Sequence, residues 1–98
     1  MRIEIIKGPV ASGKTTKLRA IQTKLEQKGL SPTVLCGTSY RRSTDLLRVV
    51  AQQIGRGIRI ALIDDCSSAQ IDAFRDWKRA TDENGTFADV VIHLVKQA

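Results

Sequence analysis

Lys14 and Thr15 close the stretch Gly8-Pro9-Val10-Ala11-Ser12-Gly13-Lys14-Thr15, and their spacing from the two glycines fits G-x-x-x-x-G-K-[ST]. The chemistry such a stretch can do is the capture of a phosphate chain. Glycines let successive main-chain N–H groups curl around an anion without a Cβ in the way. A helix that starts directly after them leaves its first N–H groups unpaired and aims the positive end of its dipole at the same point. Lys14 would then reach the β- and γ-phosphates, and the Thr15 hydroxyl would ligate Mg²⁺. The plain alternative is a glycine-bearing turn that happens to precede Lys-Thr. A second constellation, Ile60-Ala61-Leu62-Ile63-Asp64-Asp65, is an apolar run ending in two carboxylates. Asp64 suits the metal, held mostly through water opposite Thr15.

Positioning these groups takes a strand before the glycine loop and a helix after it. Arg2 to Lys7 reads as the first strand, and Lys14 to Lys28 as the first helix, with Leu18, Ile21 and Leu25 as its buried stripe and Gly29 as its stop. Arg2 and Glu4 interrupt the apolar pattern, which suits an edge strand better than an interior one. Lys17, Lys24 and Lys28 share a neighbouring face, either solvated or a nucleic-acid footprint. Thr33 to Cys36 reads as strand two, followed by a loop carrying Arg41 and Arg42, which either form a surface pair or face phosphate, substrate or a neighbouring subunit. Helix two starts with Ser43 or Thr44 as its cap, buries Leu46, Leu47, Val50 and Ile54, and ends at Gly55. Strand three is Ile58 to Ile63. Ser67 with Gln70 reads as a capping box opening helix three, whose Ile71, Phe74 and Trp77 pack on the sheet, with an aromatic base-stacking platform as the alternative, until Asn84-Gly85 ends it. Asp72, Arg75, Asp76 and Arg79 make a compensated charge ladder along it. Strand four, Asp89 to Val95, is nearly all apolar and therefore interior. His93 within it reads as a core histidine, with γ-phosphate sensing as its alternative. Lys96 and Gln97 are further candidates for that sensing role.

Strand–helix alternation along all 98 residues predicts one minimal nucleotide-binding domain, an α/β three-layer α/β/α sandwich on a four-stranded parallel sheet. The charges in strand one favour the order 2-3-4-1 over 2-3-1-4. That order leaves strand one as an unpaired edge, where self-association or a protein partner is expected. Net charge is +6, and it is uneven: residues 1–60 hold 12 Lys/Arg against 3 Asp/Glu, whereas residues 61–98 hold 4 against 7. A basic first part suits polyanions, the nucleotide itself or nucleic acid as well. No apolar run approaches the ~20 residues that cross a bilayer, and no signal segment is visible, so the expectation is a cytoplasmic protein without a membrane partner. Cys36 and Cys66 fit reduced structural thiols rather than a disulfide framework or zinc site.

Through GPVASGKT and IALIDD the chain resembles the P-loop NTPase superfamily, and its RecA/AAA-like branch most closely. The two segments stand as Walker A and Walker B. Gly8-Pro9 with Ser12-Gly13-Lys14-Thr15-Thr16 is similar over some ten residues to type II thymidine kinases, but that family's zinc cysteines, lasso region and acid–Glu pair have no counterpart here. The resemblance implies Mg²⁺ and a nucleoside triphosphate, ATP by prior, bound by Gly8, Pro9, Val10, Ala11, Ser12, Gly13, Lys14, Thr15 and Thr16, with Thr15 and Asp64 on the metal. It also puts Asp65 where many hydrolysing members carry a glutamate base, so Lys14 and Asp65 become the expected catalytic residues. A helix-three acid held by the dipole is the other reading of Asp65. Three activities follow as expectations: a small ATPase, an ATP-binding switch or assembly module acting on nucleic acid or protein, and, last, a small-molecule or nucleoside kinase.

Overall fold

Four stretches of the chain, Arg2–Ile6 (β1), Val34–Cys36 (β2), Ile60–Cys66 (β3) and Val91–Lys96 (β4), build one sheet in the computed structural model, and Lys14–Gln27 (α1), Ser43–Gly55 (α2) and Ser68–Asp82 (α3) are its helices. The structure describes residues 1–7 and 14–97, with the backbone only at Lys14 and Thr15. All three strand pairings are parallel, in the order β1-β4-β3-β2, which counted from the other edge is β2-β3-β4-β1. The strands with the most buried apolar residues, β3 and β4, take the two central positions, where both faces are covered. β1 and β2 are the edges, and no β1–β3 pairing of the kind the rival order requires exists among the described residues.

Alternation along the central strands divides the core between two faces. Ala61, Ile63, Ile92 and Leu94 point to the side of α2 and α3, where Leu46, Val50, Ile54, Ile71 and the fully buried Phe74 cover them. Leu62 and Val95 point the other way and meet Leu18 and Leu25 of α1. One helix on one face and two on the other agree with a three-layer arrangement. Trp77 is partly buried, packing edge-on to Phe87 with ring centroids 5.7 Å apart.

Several boundaries differ from the sequence reading for identifiable reasons. Strand three starts at Ile60 and runs on through both carboxylates to Cys66. Its pairing with β4 shifts register between Ile63 and Cys66, so Asp64 and Asp65 occupy an irregular strand end rather than the loop beyond it. Helix two has Arg42, not Ser43 or Thr44, at its N-cap position, with extended backbone and no side-chain cap. Gly37–Ser39 forms a short 3-10 turn in what reads as open loop. Helix three ends at Asp82, before Asn84-Gly85, and Gly85 takes a left-handed turn at φ 65°. Among the described residues no helix is long and apolar enough to cross a membrane.

Candidate functional site

The carboxyl edge of the sheet gathers the chemistry. β1 ends at Ile6 and α1 begins at Lys14, so the glycine-rich segment connects the carboxyl end of a strand to a helix N-terminus. Gly8, Pro9, Val10, Ala11, Ser12 and Gly13 lie outside the described residues, as do the side chains of Lys14 and Thr15. Thr16 is exposed on the first turn of α1.

α1 does not stay over its own strand. It packs across β4 and β3, and Leu18, 1% exposed, lies in one cluster with Leu62 and Val95. Asp64 follows Leu62 by two residues on β3. The first turn of α1 therefore lies on the face and toward the edge where β3 delivers Asp64.

Those carboxylates are differently held. Asp64 is half-buried and accepts the Asp65 main-chain N–H through Oδ1 at 2.9 Å. A carboxylate accepting with one oxygen keeps the second as a hard donor, and hard oxygen is what Mg²⁺ takes. Asp64 thus offers a donor of the kind magnesium takes, while the Thr15 side chain lies outside the described residues; among the described residues no group of three or more His, Cys, Asp or Glu gathers as a metal cluster. Asp65 has φ 57°, the left-handed region that non-glycine residues seldom adopt.

The irregular end of β3 is braced from two sides. Gln97 N–H donates to the Cys66 carbonyl at 2.8 Å, fastening the chain after β4 to the end of β3. On the other side the capping box is present: Ser67 Oγ accepts from Gln70 N–H and Gln70 Oε1 accepts from Ser67 N–H. Gln70, 6% exposed, also donates through Nε2 to the Gly37 carbonyl at 2.8 Å. Gly37 approaches so closely that a Cβ there would stand 2.5 Å from Gln70 Oε1 and 2.6 Å from the Asp65 carbonyl. The capping spacing announces the Ser67–Gln70 pair, but the second role of Gln70 has no local signal. Burial, with Asp64 and Asp65 nearby, pushes the Cys66 thiol up to about 12, so it stays protonated. Cys36 and Cys66 are both free thiols.

The remaining candidates separate by position. Lys96 ends β4 beside this edge. Lys7, Arg75 and Lys96 line a cleft of about 80 Å³ together with Ser68, Ile71 and Asp72. Lys7 and Arg75 escape sequence reasoning, although Lys7 directly precedes the glycine segment. His93 pairs in register with Glu4 and Leu62, about 10 Å short of Lys96 along the strand. Burial lowers its pKa below 6.5, with Glu4 raising it and Arg2 lowering it. Mid-strand and half-buried, it lines the groove beside Arg2 and Glu4 rather than the carboxyl edge. Arg41 and Arg42 are exposed ahead of α2, at the β2 end of the sheet, three strand spacings or about 14 Å from β1.

No family model matches the chain, and no curated protein or solved structure does either.

Proposed function

We propose that the chain is a minimal P-loop nucleotide-binding domain that binds Mg-ATP and hydrolyses it. The observation that supports the reading is the crossing of α1: the helix that follows the glycine segment packs Leu18 against Leu62, on the strand that ends in Asp64. Phosphate-capturing backbone and metal-holding carboxylate then meet at one edge, although β4 separates their strands.

In this reading Gly8 to Gly13 offer main-chain N–H groups to the phosphates, and Lys14 adds a point charge at the β- and γ-phosphates. Thr15 and Asp64 would hold Mg²⁺, which when bound would supply positive charge beside the transferred phosphoryl group. Asp65 orients the attacking water and accepts its proton. Its arm is one methylene shorter than glutamate, so turnover by the isolated chain is slow. An arginine completing the charge compensation comes from Arg41, Arg42 or a neighbouring subunit.

A second reading, an ATP-binding switch acting on nucleic acid or protein, draws on the same shortness of Asp65 and on the basic residues of positions 1–60. Arg2, Lys17 and Lys24 border one groove beside β1, a surface suited to a phosphate backbone. For a kinase reading, the described residues offer at this edge only the cleft of about 80 Å³ beside Lys7 and Lys96.

Phosphate release by the native chain and by Lys14→Ala, each with and without DNA, tests the proposal. The expectation is release by the native chain and loss of at least about tenfold in the variant. Nucleotide binding with no release in any condition would replace hydrolysis by the switch. Neither binding nor release would remove both.

A further inference from the structure

We propose that β1 is the seam of a two-fold symmetric homodimer, in which β1 of one chain pairs antiparallel with β1 of a second copy and the axis passes beside Ile3. The sheet becomes continuous across eight strands.

β1 is an edge strand whose inner side is occupied. Arg2 N–H donates to the Val90 carbonyl at 2.8 Å, which turns Arg2, Glu4 and Ile6 main-chain groups toward β4. The N–H and C=O groups of Ile3 and Ile5 consequently point outward, a ladder left unpaired among the described residues. Natural edges of this kind are blunted by short length, charged side chains, proline, a bulge or a covering element, and of these β1 has its five-residue length and the charges of Arg2 and Glu4. Arg2 to Ile6 contains no proline and pairs in unbroken register.

The side chains on the edge select both the occupant and the register. Arg2 and Glu4 are 68% and 50% exposed, on the face where α1 lies over β3 and β4 and leaves β1 bordering an open groove. Within one chain they form an ion pair at 3.0 Å. Antiparallel self-pairing must centre on a single residue, and centring on Arg2 opposes Arg2 to the partner's Arg2, a like-charge pair. Centring on Glu4 opposes Glu4 to the partner's Glu4, a like-charge pair that destabilises. Centring on Ile5 opposes Glu4 to the partner's Ile6. Centring on Ile3 opposes Arg2 to the partner's Glu4 and Glu4 to the partner's Arg2.

That same choice satisfies the backbone. Ile3 and the partner's Ile3 have outward-facing main-chain groups, so they exchange N–H···O bonds as a hydrogen-bonded pair. Arg2 and the partner's Glu4 fall at the non-hydrogen-bonded positions, where side chains approach most closely. On the opposite face the half-buried Ile3 and Ile5, which already pack on the main core cluster, gain apolar neighbours across the seam. Arg-Ile-Glu is thus self-complementary in charge and hydrogen bonding about one residue, as an isologous interface requires.

Sedimentation velocity over a concentration series tests this independently of nucleotide. The native chain is expected to move to a species of twice 10.8 kDa as concentration rises. Arg2→Glu and Glu4→Arg each turn attraction into repulsion at both symmetric positions and should weaken the dimer by about tenfold or more. Mixing the two single variants in equal amounts restores every cross pair, so the mixture should dimerise where neither component does. The double variant R2E/E4R should dimerise like the native chain. The mixture carries the argument, because loss of the pair within one chain cannot be repaired by a second chain. A native chain monomeric throughout, single variants that dimerise like native, or a mixture of the two that stays monomeric would each overturn the proposal. Circular dichroism of the variants confirms that each remains folded.

Discussion

Asp65 is the residue at which the chemical and structural readings of the chain diverge. Its φ of 57° costs a non-glycine residue on the order of 1 kcal/mol, moderated for aspartate by its short polar side chain. The hydrogen bond from its own N–H to Asp64 fixes that conformation and keeps the neighbouring carboxylate in place. Strain held at a site is a reason to ask what the site does. Asp65→Gly relieves the backbone while deleting the carboxylate, so the two roles give opposite signatures. Thermal unfolding should show stability unchanged or raised by up to ~1 kcal/mol, while phosphate release falls by about 10²-fold, the usual worth of a positioned base. Release at the native rate would leave Asp65 as an acid serving only the approach to α3.

Among the elements, the junction of β2, the end of β3 and the start of α3 decides how firmly the carboxylates are held. Gln70 closes the capping box on Ser67 and also takes the Gly37 carbonyl, so one buried side chain joins three segments. Such a buried polar group is costly when any partner is lost. Gly37→Ala brings a Cβ against the Asp65 carbonyl, a main-chain atom that cannot swing aside, and against Gln70. Overpacking of this kind costs about 1–3 kcal/mol, and in a domain this small the melting midpoint should fall by about 5 °C or more. An unchanged midpoint in a calorimetric scan would show the junction to be soft.

The same junction marks where sequence reading stops. Elements with a periodic apolar stripe, such as α2 with Leu46, Val50 and Ile54, are legible because burial follows the period. Edge and centre are legible too: Arg2 and Glu4 tolerate only partial cover, whereas β4 needs it on both faces, for Ile92 and Leu94 on one and Val95 on the other. The carboxylate pair is visible as a pattern, but not its placement inside β3, because a register shift depends on the partner strand and not on local residues. The Gly37–Gln70 tie spans 33 positions and leaves no periodic trace. Lys7 and Arg75 meet only once β1 and α3 are packed together.

For the whole molecule, the parallel order with β4 between β1 and β3 has two consequences. It exposes β1, and it obliges α1 to cross over β4 toward β3 to find apolar cover for Leu18 and Leu25. Burial thus carries the helix N-terminus toward Asp64, and the hydrophobic effect does the positioning that the chemistry needs. The central claim is that this edge holds the phosphate tail of a nucleotide. Equilibrium titration of the folded chain with Mg-ATP, followed by calorimetry and repeated with Lys14→Ala, tests it most directly. The native chain is expected to bind saturably, and the variant with affinity at least about tenfold weaker. No saturable uptake by folded native protein, or equal affinity in the two, would contradict it.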